Sequence, residues 1–413
     1  NNNPAKILEE NDVEPIGGKQ DVRVVIVSPN DVSEAYIKLL EECLIERYAA
    51  LKLGSLTRED IVLYDSKGEL QTTIVKVLGR SSVNYDPERH FFIVILPGKI
   101  EELNNVVRGT LTDNSFHSQI ILKDTLAKLV NEKFKAAFAT NVCLAIYYEF
   151  LLQKSTVNRE FFKGLEGLTW RLTVPADGSE DTVFIGFDTS WKIIERGLKA
   201  FGAAFAIVFD SYGRLLGGYS SRIVSDRIDK ITATKVMQNI FNTAKKRGLK
   251  RVGRIVLYRD GNLRPAEVRL FSKLAKEFGI EIAFRGVVKR HIRRLYAYSE
   301  ATGRVTNPRS GDWVYLGHLR TSYGIVKKFL IVSTTPAAPI YTPKGVRKTV
   351  APIFLEVIDD SLSEEEIAKE YLRLCHLNFQ CWHGANKLAL PVLVADQLAG
   401  IIRGGVAPKF PQL

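Results

Sequence analysis

Apolar positions fall along this chain in two series, each switching between strand-like runs and helical spacing. In the first series, Val22–Ser28 (VRVVIVS) is an apolar run of the length of a buried strand, and Val32–Lys52 carries its apolar residues at helical spacing. Ile61–Tyr64 and His90–Leu96 (HFFIVIL), the latter closed by the turn Pro97-Gly98, predict further strands. Strands alternating with helices imply a parallel sheet covered on both faces. The preceding residues, Asn1–Gln20, hold Pro4, Pro15 and the Gly17-Gly18 pair, and they predict a loose tail.

The second series begins near Val183, after the Pro-, Gly- and acid-rich loop Pro175–Asp181. Three strands come first, VFIGFD, AAFAIVFD and RLLGGYSS, with Ser211-Tyr212-Gly213 as a hairpin turn. A helix over Thr232–Arg247, a strand over Arg254–Tyr258, a helix over Pro265–Phe278 and a strand over Ile280–Val288 follow. Three antiparallel strands, then helix, strand, helix and strand, is the order of the ribonuclease H fold. With a boundary near Trp170, the chain reads as α/β throughout: a tail over 1–20, a Rossmann-like domain over 21–170 and a ribonuclease-H-like domain over 171–413.

Composition narrows the class. Hydrophobic residues at 46% and charged residues at 25% fit a globular protein and exclude a disordered or fibrous one. No apolar run reaches the roughly 20 residues of a bilayer span, and Asn1–Glu14 lacks a signal-peptide core, so a cytoplasmic protein is expected. Four scattered cysteines make no disulfide framework. Cys375, His376, Cys381 and His383 cluster, but not at the usual zinc spacing.

Charge adds a partner. Of the net +12, the stretch Lys245–Lys348 holds 24 basic residues against 6 acidic ones, while the rest is net acidic. Charge concentrated in this way marks a polyanion site, most simply a phosphate backbone; a solvated basic surface is the plainer alternative. Asp188 ends the first strand of the second series, Asp260 ends a later one in VLYRDGN, and Asp396 lies in the helix LPVLVADQLAG. Three such aspartates could cradle two divalent cations about 3.5–4 Å apart, the arrangement that clamps both oxygens in phosphodiester cleavage. Taken singly, each is more simply a helix cap or a solvated acid; taken with the fold order and the basic stretch, the cation site is the better reading.

At these residues the chain resembles the Argonaute family. FIGFDTS and RIVLYRDGN are similar to the strands that carry the central aspartates of the family's PIWI domain, VVKRHIRRLY to the basic segment downstream, and LPVLVADQLA to the closing helix. Upstream, HFFIVILPGK resembles the strand opening the guide-anchoring region of the MID domain. The resemblance implies a short prokaryotic type that holds a short single-stranded guide, RNA or DNA, against a complementary target. It also implies a separate effector protein and a role in defence against invading nucleic acid. In the family's MID domain a tyrosine, two lysines, a glutamine and a metal on the C-terminal carboxylate hold the guide 5′ phosphate. Here Gln119, Arg108, Lys123, Lys163 and the carboxylate of Leu413 are the candidates, with no tyrosine between Ile100 and Phe116.

Lys289, Arg290, Arg293 and Arg294 are the candidates for guide phosphates, although K-R-H-x-R-R also suits an amphipathic surface helix. Mg2+ or Mn2+ is expected at the guide 5′ end and, in an active enzyme, at the three aspartates. Active members add a glutamate between the two aspartate motifs, but no glutamate occurs between Glu195 and Glu267, where Asp226 and Asp229 are the nearest acids. A guided binder with an impaired cleavage site is therefore expected. An active guided endonuclease and an unguided ribonuclease-H-like nuclease or integrase are the alternatives. A whole first domain and the LPVLVADQLA ending tell against the last.

Overall fold

Gln20–Pro29 form strand β1, which is buried on both faces through Val24–Val27, and this explains its uninterrupted apolar run. The computed structural model describes residues 13–15, 18–65, 69–79, 85–99, 101–154, 170–192, 201–223, 228–246, 249, 251–301, 303–333, 352–358, 361–377 and 388–403. The chain divides into two compact units, one of Asn1–Glu10 with Pro15–Arg159, the other of Asn11–Glu14 with Glu160–Leu413. None of the described helices is long and apolar enough to cross a membrane.

In the first unit β1 leads to helix α1 (Glu34–Ala50), whose first turn is capped by the Ser33 hydroxyl accepting from the Ala35 amide. Strand β2 covers Gly54–Tyr64, starting seven residues before the predicted Ile61. Its first half is polar because it is an edge strand with a wet face, which the apolar pattern alone does not register. Helix α2 (Leu70–Leu78), the wholly buried strand β3 (His90–Leu96), helix α3 (Glu101–Asp113) and strand β4 (His117–Leu122) complete the sheet. All pairings are parallel in the order β2-β1-β3-β4, a doubly wound arrangement. A short helix α4 (Lys123–Ala127) and the long α5 (Glu132–Lys154) follow.

The second unit opens with the meander β5 (Thr182–Lys192), β6 (Phe201–Phe209) and β7 (Leu215–Ile223), antiparallel throughout. Helix α6 (Lys230–Lys246), strand β8 (Arg254–Asp260), helix α7 (Pro265–Glu277) and strand β9 (Glu281–Val288) then come in the predicted order. Strands β10 (Trp313–Thr321), β11 (Gly324–Ile331) and β12 (Ile353–Ile358) extend the sheet, giving the order β10-β11-β12-β9-β8-β5-β6-β7. The central pairs β9-β8 and β8-β5 are parallel, and the flanking ones are antiparallel. Helix α8 (Glu364–His376) and helix α9 (Leu390–Arg403) close the chain.

Alternation along the central strands splits the sheet into two faces. Val183, Ile185, Phe187, Ile255 and Leu257 point into a core shared with α6 and α7. The opposite face receives α9, and it also holds a buried ion pair. Arg285 donates through Nε and Nη2 to the two Glu370 oxygens at 3.0 Å each, and the Tyr258 hydroxyl donates to Glu370 at 2.7 Å. All three side chains are fully buried, so α8 is tied to β8 and β9 by charge as well as by packing.

Candidate functional site

The parallel register sets Arg259 of β8 beside Phe187 of β5, so the next residues, Asp260 and Asp188, stand on neighbouring strands and face the same side. Asp188 does not end its strand, as the sequence pattern suggests. Pairing with β6 continues to Lys192, because the meander neighbour supplies partners beyond the apolar run. The third aspartate arrives on α9, which crosses β5 at Gly186. A side chain there is impossible without movement: a Cβ on Gly186 would lie 1.9 Å from the Pro391 carbonyl oxygen. That glycine lets the helix backbone rest on the strand and brings Asp396 to the other two. One carboxylate oxygen from each of Asp188, Asp260 and Asp396 lies within 4.8 Å of the others.

Gathering three acids has an electrostatic consequence. Burial, followed by the charge of Asp260, pushes the Asp188 carboxyl up to about 6, although its Oδ1 accepts the Thr189 amide at 2.7 Å. The cluster also has a cation. Lys289, one residue beyond β9, places its Nζ 2.8 Å from Asp260 Oδ2 and 3.0 Å from Asp396 Oδ1. Burial opposes the lysine's charge, but its bonds to the two carboxylates outweigh it and raise its pKa. On the other face, Arg259 donates to Glu267 at 2.7 Å; it bonds none of the three carboxylates, but its charge helps to hold the Asp188 carboxyl down.

The geometry corrects two expectations. Lys289 does not join the outward arginines, since β9 delivers its side chain to the aspartates. Asp229 is not with the acids either; it caps α6, its carboxylate accepting the Thr232 amide at 2.6 Å. The remaining basic residues are exposed on an irregular segment and not on a surface helix. The Arg293 guanidinium lies 4.3 Å from the centre of the Phe354 ring, and Arg294 donates to the carbonyls of His291 and Arg293. Arg290 is exposed beside them.

A Piwi-domain model matches residues 91–406. The chain belongs to the Piwi-domain family. It is 23% identical over 382 residues to the Argonaute protein of Aquifex aeolicus, a match that covers 91% of this chain and 46% of that protein. Among solved structures, that of Aquifex aeolicus Argonaute matches with a TM-score of 0.51 at 19% identity, over 99% of this chain and 53% of that one. Clostridium butyricum Argonaute bound to a guide DNA and a 19-mer target DNA matches with a TM-score of 0.52 at 15% identity, over 97% and 50%. These likenesses establish a shared fold, with a ribonuclease-H-like PIWI portion. The chain spans about half the length of the relatives it matches.

The other predicted residues of this Piwi-family chain are dispersed. In the first unit, Gln119 is half-buried in β4 opposite Ile93, and its side-chain amide donates to the Ile120 carbonyl at 3.1 Å. Lys123 sits just past β4 and pairs with Asp31, just past β1, at 2.6 Å, across the carboxyl edge of the sheet. Arg108 is exposed on α3. Among the described residues these three make no hydrogen bond or ion pair with one another. Lys163, Asp226 and Leu413, like Cys381 and His383, lie outside the described residues. Two features escaped sequence reasoning, the glycine contact at Pro391 and the inward lysine. The first had a signal in FIGFD, where a glycine interrupts a buried strand.

Proposed function

We propose that this chain holds a short single strand of nucleic acid as a guide and recognises a complementary strand with it, its cleavage site being impaired. The observation that carries this reading is the convergence of Asp188, Asp260 and Asp396 from three separate elements of a Piwi domain, with the exposed run Arg290, Arg293 and Arg294 following directly on Lys289, which touches two of them. Exposed guanidiniums suit a phosphate backbone, which fixes register while base pairing reads sequence. The guide DNA and target DNA in the Clostridium butyricum structure, and the externally bound siRNA in an Aquifex aeolicus one, support the same reading.

The aspartates fit a divalent cation: three carboxylates are hard oxygen donors of the kind Mg2+ and Mn2+ prefer. Such an ion would supply charge stabilisation to a phosphodiester oxygen. The impairment has two sources in this chain's own residues. The stretch between Glu195 and Glu267 offers no glutamate, and Asp229 within it is spent as a helix cap. Residues 21–170 then serve as a MID-like domain for the guide 5′ end, drawing on Arg108, Gln119 and Lys123, with a Mg2+ or Mn2+ ion there. As a cytoplasmic protein it acts in defence through a separate effector. An active guided endonuclease is the second reading, favoured by the three aspartates standing together.

Extraction and sequencing of nucleic acid that co-purifies with the protein tests the guide and identifies it as RNA or DNA. Short oligonucleotides of uniform length are expected, with affinity falling in salt by roughly 0.7 in log K per log salt for each phosphate contact. Replacing Arg290, Arg293 and Arg294 together by alanine should flatten that slope; an unchanged slope rules the segment out. Adding complementary target with Mg2+ or Mn2+ separates the two readings, since cutting that vanishes in Asp188→Ala would establish the endonuclease.

A further inference from the structure

We propose that Lys289 is a built-in cation of the aspartate site, standing where a second divalent ion would otherwise be held, so that the site takes one divalent cation and not two. The proposal rests on the reading that the three aspartates form a cation site. Its ground is geometric. The Lys289 ammonium meets two different carboxylates, at 2.8 Å on Asp260 and 3.0 Å on Asp396, with its side chain only 29% exposed. A surface lysine reaching for one acid does not bridge two in this way.

The backbone makes this placement systematic. β9 pairs with β8 so that Val287 lies beside Asp260, and Lys289 leaves the sheet two residues further on, over the carboxyl end of β8. The root of the lysine is therefore fixed by the same strand pairing that fixes Asp260. Asp396 comes from the far side on α9, and the ammonium closes the gap between the two elements.

Charge then limits the ions. Three ionised carboxylates and one ammonium leave two negative charges, which a single divalent cation neutralises. Two divalent cations would leave the same pocket with two positive charges in excess, at separations where partial burial weakens screening. Among the described residues no fourth carboxylate joins the group to offset that excess. Lys289 thus sets the stoichiometry, and with it the difference between a site that binds an ion and one that clamps two in the manner of phosphodiester cleavage.

The test is a Mn2+ titration of the full chain without nucleic acid, followed by calorimetry and by the electron paramagnetic resonance of free Mn2+. Only ions lost in Asp188→Asn are counted. Wild type is expected to bind one such ion. Lys289→Met, which keeps the stem and removes the charge, is expected to take a second ion or to bind the first about tenfold or more tighter. Lys289→Arg, which keeps the charge, is expected to stay with one. Equal stoichiometry and affinity in wild type and Lys289→Met would overturn the proposal while leaving the cation site standing. If Lys289→Arg behaved like Lys289→Met, packing and not charge would be responsible, and the proposal would again fail. Absence of any Asp188-dependent ion in all variants would instead remove the cation site itself.

Discussion

Placing one methyl group on Gly186, two residues before Asp188 on the same strand, should dismantle the aspartate cluster. In Gly186→Ala the new Cβ would start 1.9 Å from the Pro391 oxygen and 2.5 Å from its carbonyl carbon. An ordinary contact is about 3.4 Å, so α9 must retreat by roughly 1.5 Å or β5 must bend by as much. Both contacts are backbone atoms, which leaves no flexible side chain to absorb the clash. Overpacking of this kind typically destabilises by about 1–3 kcal/mol. The larger effect falls on the site, because metal ligands tolerate only about 0.2 Å of displacement and a misplacement of about 1 Å in a reacting group can slow chemistry roughly 100-fold.

Asp396 rides on the displaced helix, so Asp188-dependent Mn2+ affinity should fall by about tenfold or more, while guide binding through Arg290, Arg293 and Arg294 persists. Calorimetry on the same preparation reads the ion, and a filter-binding assay with a short oligonucleotide reads the strand. Wild-type Mn2+ affinity in Gly186→Ala, with an unfolding midpoint unchanged, would refute the claim that this backbone contact places Asp396.

Two further outcomes follow from the same face of the sheet. Arg285→Leu leaves Glu370 charged and fully buried, and should destabilise by about 3–5 kcal/mol in urea unfolding, whereas Arg285→Leu combined with Glu370→Leu should recover much of that; equal losses in single and double variants would contradict the pairing. The Asp188 carboxyl, raised from an ordinary 3.8 to about 6 by burial and by Asp260, is raised above its unfolded value, so its ionised form destabilises the fold. That penalty, about 3 kcal/mol, is fully present above pH ~6 and disappears as pH falls towards 4. Asp188→Asn should accordingly be more stable than wild type at pH 7.5 and lose most of that advantage by pH 4; an advantage independent of pH would point elsewhere.

Much of the fold is written locally. HFFIVIL and VFIGFD are apolar on both faces because they end up in the middle of covered sheets, and that burial is itself the pattern read along the chain. The order of strands and helices after Val183, and three aspartates on separate elements, are likewise visible in one dimension, since period and turn chemistry are properties of neighbours in sequence. The wet edge strand β2 and the outer strand β10 were not legible in this way. Their residues alternate or are polar, and it is pairing with a partner strand that makes them strands.

The site divides along the same line. VVKRHIRRLY reads as one basic run, yet in the folded chain Lys289 turns to Asp260 and Asp396 while Arg293 covers Phe354 and Arg290 faces outward. Nothing in the order of those residues distinguishes them, because each side chain's partner is 29 to 107 positions away and is delivered by a different element. The sequence by itself determined which residue types were available and which elements would carry them. Only the tertiary structure decided which of the basic residues would be neutralised by the acids, since that depends on strand register and on how closely α9 can lie against Gly186.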